Sequence, residues 1–280
     1  MGAQRSSPPE ARDRLRGQSG RCGGGAPRGR RSSGSRLVDR FAEQAARCGC
    51  DEDLRRLLEE TTRELGFRYY ALLHHSSLRC PSACAIRIDN YPEDWEHELV
   101  AADLVRDDPV HQASTRTNAG FAWSELGSLI VLTGRQRRIL RRSGRFGIGE
   151  GFTIPANVPG EPSGSCSFAV RRGRRLPDKR LRCAELVGAH AFRAARRIHD
   201  YPGRASRPHL SRRELQCLRL VAAGKTDWEA ARILGISVET ARQYLKHARA
   251  VYDVVSRTQL VVHGLRDSLI SFDEAIPPSG

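Results

Sequence analysis

Five polar residues near the carboxyl end share one stripe of a helical repeat: Glu239, Arg242, Gln243, Lys246 and Arg249. Val238, Ala241, Leu245 and Ala248 occupy the opposite stripe. A helix buried through its apolar stripe then turns a guanidinium, an amide and an ammonium outward. Those groups match base edges in a DNA major groove and the phosphates beside it. An ordinary solvated helix carries similar charges, so the preceding elements decide. Ser211, with Glu214 three residues on, forms a capping box. Leu215, Leu218 and Val221-Ala222 follow at helical spacing, and Gly224 ends that helix. Thr226 or Asp227 caps a short second helix with apolar Ala230, Ala231, Ile233 and Leu234, stopped by Gly235. Ser237 caps the third, with Thr240 three positions on. Two helices joined by one such turn cross steeply, as in a helix-turn-helix.

Leu210, Ser211, Arg213, Glu214, Gly224, Lys225, Thr226, Glu229, Ala231, Leu234, Ile236, Ser237 and Thr240 together resemble the LuxR-type helix-turn-helix. Ala230 and Ala241 stand where that family usually has Ile and Val, and Tyr244 replaces a common His. The alanines reduce core volume without touching the DNA face. The resemblance implies that Arg242 reads a guanine edge and that Lys246 contacts a base or phosphate. Gln243 and Thr240 lie beside them in the groove, while Lys225 and Thr226 hold phosphate. It also implies a fourth helix near Arg257–Ser268 that packs behind the reading helix and can pair two subunits. Its apolar residues Leu260, Val261, Val262, Leu265 and Leu269 suit that role or a purely internal one equally.

The chain has 280 residues, enough for two ordinary domains, and a net charge of +15. Residues 1–36 hold nine Arg against Glu10 and Asp13, so much of the basicity lies outside the motif. That Arg/Gly/Ser-rich segment reads as a disordered tail without function, the alternatives being added non-specific phosphate affinity or an over-extended start of the reading frame. No apolar run approaches 18 residues, and the N-terminus lacks the apolar core of a secretory signal, so a cytoplasmic protein without membrane contact is expected. The eight cysteines include no Cys-x2-Cys pair, and free thiols with no metal are the expectation.

Residues 37–200 read as one domain. A helical opening over 37–65 is interrupted near Gly49, and β runs are expected at Tyr69–His75 and Ala83–Asp89. Helical periodicity covers 93–106, Phe121–Trp123 is a short strand, and 134–146 forms a basic amphipathic helix. Strands at Phe152–Val158 and Ser165–Val170 flank a Pro/Gly turn, and 177–199 closes the domain as a helix. The fold class is therefore α+β: an α-β-α sandwich with a mostly antiparallel sheet, followed by an all-α helix-turn-helix domain. A linker at 201–208, the DNA-binding domain at 209–270 and a tail at 271–280 complete the organisation.

The order Asn90-Tyr91-Pro92, Trp95, Asp108-Pro109, Trp123, Phe146-Gly147-Ile148, Gly151, Thr153-Ile154-Pro155 and Gly164-x-x-Ser167-Phe168 resembles the signal-binding domain of LuxR-type quorum-sensing receptors. With the helix-turn-helix, the likeness covers almost all of residues 37–270. It implies an acyl-homoserine lactone held between sheet and helices. Trp95 would donate to the lactone carbonyl, Asp108 accept from the amide N–H, and Tyr91 and Ser167 bond the amide carbonyl. Trp123 would pack over the ring. The residue types suit this, because the ligand amide has one donor and several acceptors. Leu99 replaces a usual tyrosine of the pocket wall. It implies a longer or substituted acyl chain, or a different small signal.

Other classes fit poorly. Gly147-x-Gly149-x-Gly151 precedes a strand rather than opening a helix, so it lacks phosphate-cradling geometry. Ser165-Cys166 has no Gly-x-Ser-x-Gly elbow, and His74 and His75 lack a matched acid and nucleophile, which argues against a hydrolase. The middle domain lacks the repeated βα units of a response-regulator receiver. The expectation is a transcription factor without cofactor, responding to an autoinducer. It acts as a homodimer on dyad-symmetric double-stranded DNA, with RNA polymerase as a candidate further partner.

Overall fold

Breaks in the apolar pattern, not its strength, set the element ends in the computed structural model, which describes residues 33–75, 85–101, 104–159, 161–199 and 209–276. Helix α1 spans Ser33–Arg47 and α2 spans Asp51–Leu65. Asp51, Glu52 and Asp53 favour the positive end of α2, and Gly66 closes it at φ 92°. Strands β1 (Tyr69–His74), β2 (Arg87–Asp89), β3 (Phe121–Ala122), β4 (Ile148–Ala156) and β5 (Gly164–Arg171) form one sheet in the order β2-β1-β5-β4-β3. Every pairing in it is antiparallel.

Helices α3 (Glu93–Ala101), α4 (Pro109–Ser114), α5 (Leu126–Leu129) and α6 (Gly134–Ser143) connect these strands, and α7 (Leu181–Ile198) follows β5. Side chains alternate between the two faces of a strand. Tyr70, Leu72, Ile154, Cys166 and Phe168 enter one core with α1, α2 and α7. The intervening residues face the side on which α4 packs against β4 and β5. Helices on both faces make the expected α-β-α sandwich.

The carboxyl-terminal domain contains α8 (Arg212–Ala222), α9 (Asp227–Leu234), α10 (Val238–Val251), α11 (Arg257–Arg266) and α12 (Phe272–Ala275). Capping boxes Ser211/Glu214, Thr226/Glu229 and Ser256/Gln259 start α8, α9 and α11, and Ser237 caps α10. Their apolar stripes meet in a core around Leu218, Leu245, Tyr252 and Leu260.

Several boundaries differ from the expectation. Helix α1 begins at Ser33, inside the segment read as a tail, because burial of Leu37, Val38 and Phe41 anchors its first turns. Residues 1–32, the linker at 201–208 and Cys22, Cys80 and Cys84 lie outside the described residues. The helix predicted over 93–106 stops at Ala101, and a separate 3-10 turn covers Val105–Asp107. Pro109 disfavours helical geometry at Asp108 and forces a new start there. Helices α4 and α5 are too short to show periodicity. The predicted tail instead carries α12, capped by Ser271 and tied to α8 by an Arg219–Glu274 ion pair of 3.2 Å. Ile233 and Val262 are exposed: α9 buries Ala230 and Ala231, and α11 buries Leu260 and Gly264.

Candidate functional site

The sheet register brings the cavity wall together. Ala71 and Thr153 both pair with Ser167, and Leu73 pairs with Ser165 in the next row, so these side chains share the face opposite the α7 core. Tyr91 and Trp95 reach the same space from the start of α3 and the turn before it. Asp108 and His111 reach it from α4, and Trp123 from the end of β3. Tyr91, Trp95, Asp108, Trp123 and Ser167 thus line one cavity, with about 50 Å³ open. That is room for a few waters. Leu99 is not on its wall; it is buried beside Trp95 in the cluster with Leu104, Ile139 and Ile148.

The hydrogen bonds divide the lining in two. Trp123 donates its indole N–H to Thr153 Oγ1 at 2.9 Å, and Thr153 shares a 2.8 Å hydrogen bond with Ser167 Oγ. Asp108 caps α4, its Oδ1 accepting from the Val110 N–H at 2.8 Å, while Oδ2 lies 3.8 Å from His111 Nε2. The Trp95 indole N–H, the Tyr91 hydroxyl and the His111 ring nitrogens make no hydrogen bond to any other described residue. Burial, with the Asp108 and Asp89 carboxylates nearby, pushes the Tyr91 phenol well above its ordinary range. It therefore remains a proton donor at neutral pH. The cavity offers two aromatic donors, an imidazole and one free carboxylate oxygen.

On the second domain, Arg242, Gln243 and Lys246 are exposed on α10, while Ala241, Leu245 and Ala248 are buried. Arg242 is braced by Asp227 at 3.7 Å and Glu239 at 3.8 Å, and Gln243 donates to Glu239 at 3.3 Å. Thr240 Oγ1 shares a 2.7 Å hydrogen bond with Ser237. Lys225 is exposed just before α9. Thr226 donates its hydroxyl to Glu229 at 2.8 Å, so that donor is committed to the cap. Arg249, counted with the outward stripe, reaches back to the carbonyls of Leu245 and Val255.

Residues 50–197 match the model of the autoinducer binding domain, and residues 208–263 match that of the bacterial regulatory proteins of the luxR family. The chain belongs to the LuxR family. This LuxR-family chain is a DNA-binding transcriptional regulator that responds to a small-molecule autoinducer, and the family is one of regulators rather than enzymes. It is 23% identical over 229 residues to the transcriptional activator LuxR of Aliivibrio fischeri, covering 79% of this chain and 90% of that protein. It is 27% identical over 199 residues to the HTH-type regulator y4qH of Sinorhizobium fredii, covering 70% of this chain and 60% of that longer protein. Escherichia coli SdiA shares the fold, with a TM-score of 0.61 and 23% identity over 84% of this chain and 98% of that one. SdiA has also been solved in complex with octanoyl-rac-glycerol, with a TM-score of 0.61 and 22% identity over 84% of this chain and 96% of that one.

Sequence reasoning did not single out His111 and Ser165, which line the cavity, or Thr153, which holds Trp123 and Ser167. Ser165 and Ser167 are two apart in a strand, a spacing that puts both on one face. His111 follows Asp108 by three residues, which aligns them on a helix. Gly151 also carried a signal, as a glycine inside a strand. A Cβ there would lie 2.4 Å from the Trp123 ring, so Gly151 makes the space that ring occupies.

Proposed function

We propose that the autoinducer is an N-acyl-homoserine lactone, held by its head group among Tyr91, Trp95, Asp108 and Ser167. Trp95 donates to the lactone carbonyl, the free oxygen of Asp108 accepts the amide N–H, and Tyr91 and Ser167 serve the amide carbonyl. Trp123, fixed by Thr153, packs against the ring. One observation carries this reading: the uncommitted groups around the cavity are the donors and the acceptor that a lactone amide requires. With about 50 Å³ open, the acyl chain enters as lining side chains move aside. The signal domain spans about residues 37–200 and the DNA-binding domain about 209–270. Two copies bind a dyad element, with Arg242, Gln243, Lys246 and Thr240 in the groove and Lys225 and Thr226 at phosphate. RNA polymerase is a further partner, and the protein acts in the cytoplasm.

The test is thermal unfolding of the full chain with a panel of lactones of increasing chain length and with octanoyl-rac-glycerol. The lactone reading expects a concentration-dependent rise in Tm for at least one lactone, removed by Asp108→Asn. A second reading, a non-lactone acyl signal, draws on the SdiA complex with octanoyl-rac-glycerol. It predicts a rise with the glycerol ester alone.

A further inference from the structure

Away from the cavity, the signal domain carries a basic surface that neither the autoinducer nor the helix-turn-helix uses. Residues 171–182 hold seven Arg or Lys against Asp178, and residues 134–145 hold six Arg and no acid. The two segments meet at the end of β5. Arg172 donates from its guanidinium to the Gly144 carbonyl at 3.5 Å and from its backbone N–H to the Gly147 carbonyl at 2.9 Å. Gly173, at φ 82°, closes a tight turn in which the Arg174 N–H donates to the Arg171 carbonyl at 3.0 Å. Arg68, Arg171, Arg174 and Arg175 line an open groove of about 530 Å³ beside that turn. All four are exposed, and Arg171, Arg174 and Arg175 make no ion pair with any described residue.

This charge works against the fold. Lys179 and Arg180 stand at the start of α7, whose first turn has no acid, and cations at the positive end of a helix dipole are unfavourable. A polyanion offsets that cost, and the planar fork of arginine suits phosphate oxygens. The apolar residues of the two segments are turned inward: Ile139 and Leu140 of α6, and Leu176 and Leu181 beside the turn, all pack against core clusters. Nothing is left to insert into a lipid surface. DNA, in contrast, is brought close by the chain itself. Residues 200–208 join His199 to His209, a reach of at most about 36 Å, and α7 adds about 27 Å back to its basic start. Duplex held by the DNA-binding domain is therefore within about 60 Å, and tethering raises its effective concentration at the patch.

We infer that the Arg171–Arg175 turn, with the adjoining end of α6, is a second DNA contact that grips backbone phosphates flanking the sequence read by the helix-turn-helix. It touches no base, so it adds affinity without specificity. Each phosphate neutralised adds about 0.9 unit to the slope of log affinity against log salt. The contact therefore shows itself only on duplexes long enough to reach it.

The experiment is fluorescence anisotropy of the full chain at several salt concentrations. One duplex carries a site selected by the protein from random-sequence DNA, and a second carries the same site with flanks of about 20 base pairs, about 68 Å, on each side. The triple variant Arg171→Ala, Arg174→Ala, Arg175→Ala is expected to lose about two to three units of slope on the flanked duplex and to match wild type on the bare site. The corresponding triple lysine variant, which keeps the charge, is expected to retain the wild-type slope on both. Where the triple alanine variant does not fold, Arg174→Ala alone decides, with an expected loss of about one unit. A slope unchanged on the flanked duplex, or lowered equally on both duplexes, overturns the inference and leaves DNA reading by α10 standing. Loss of binding to phosphatidylserine vesicles in the alanine variant, with its duplex slopes unchanged, also overturns it and assigns the patch to a membrane surface.

Discussion

The two domains treat their polar groups in opposite ways. In the helix-turn-helix domain the caps close on themselves within three residues: Ser211 with Glu214, Thr226 with Glu229, Ser256 with Gln259. The α10 face, with Arg242, Gln243 and Lys246, is turned outward. In the signal domain, groups from β1, α3, α4, β3 and β5 converge from distant parts of the chain, and several keep a hydrogen-bonding position uncommitted. The first arrangement builds a rigid part that presents a surface. The second builds a cavity whose polar accounting is completed only by a ligand. Binding there can therefore alter the domain more than DNA contact alters the other.

The largest test of this contrast is on the sheet between the two layers. Phe168 is fully buried opposite the cavity face, and Phe168→Ala is expected to cost about 3–5 kcal/mol. Chemical denaturation of the full chain measures it. A loss below about 1 kcal/mol would mean that the sheet core does not hold the cavity wall. Next, Asp108→Ala removes both the cap of α4 and the free oxygen. We expect about 1 kcal/mol lost from the unliganded protein and a further 1.5–3 kcal/mol from lactone binding. Paired thermal unfolding, with and without lactone, separates the two parts.

On the outward face, Arg242→Ala is expected to cost about 1–3 kcal/mol and to relax preference at one base of each half-site. Lys225→Ala should weaken all sequences alike and flatten the salt dependence by about one unit of slope. Fluorescence anisotropy on a selected duplex and its single-base variants, at several salt concentrations, distinguishes them. Equal losses on every sequence for Arg242→Ala would make it a phosphate contact.

The smallest effect concerns Glu214. Burial works to raise its carboxyl pKa, but the Ser211 N–H and the contact with His247 on α10 win and hold it below the ordinary glutamate range. A carboxylate with a lowered folded-state pKa stabilises above its unfolded value of about 4.3, and that stability is lost as pH falls through the folded value. Glu214→Gln should accordingly flatten the acid limb of the stability profile as pH falls below about 4.3. An unchanged limb would place that pH dependence elsewhere.

This same contrast explains what could be read from residues alone. The DNA-binding domain was legible because each cap and stop is local: Ser211, Gly224, Thr226, Gly235 and Ser237 fall where spacing predicts. Ile233 and Val262 belong to these apolar sets and yet stay exposed. In the signal domain the strands and long helices were legible from alternation and periodicity. Helices α4 and α5 were not, because six and four residues carry too little pattern. Tyr91, Trp95, Asp108, Trp123 and Ser167 were found by resemblance to the family and converge on one cavity, whereas Leu99 lies beside it. Thr153 and His111 acquire their roles through the register of β4 with β5 and through the start of α4, both outcomes of tertiary pairing.

The central claim is that the cavity and the α10 face are coupled, and DNA affinity with and without ligand tests it most directly. Duplexes selected by the protein from random-sequence DNA would be titrated in anisotropy, with saturating lactone and without. The account predicts an affinity change of about 5- to 150-fold in wild type and little or none in Asp108→Asn. Superimposable wild-type curves, with the lactone shown by calorimetry to be bound, would contradict it.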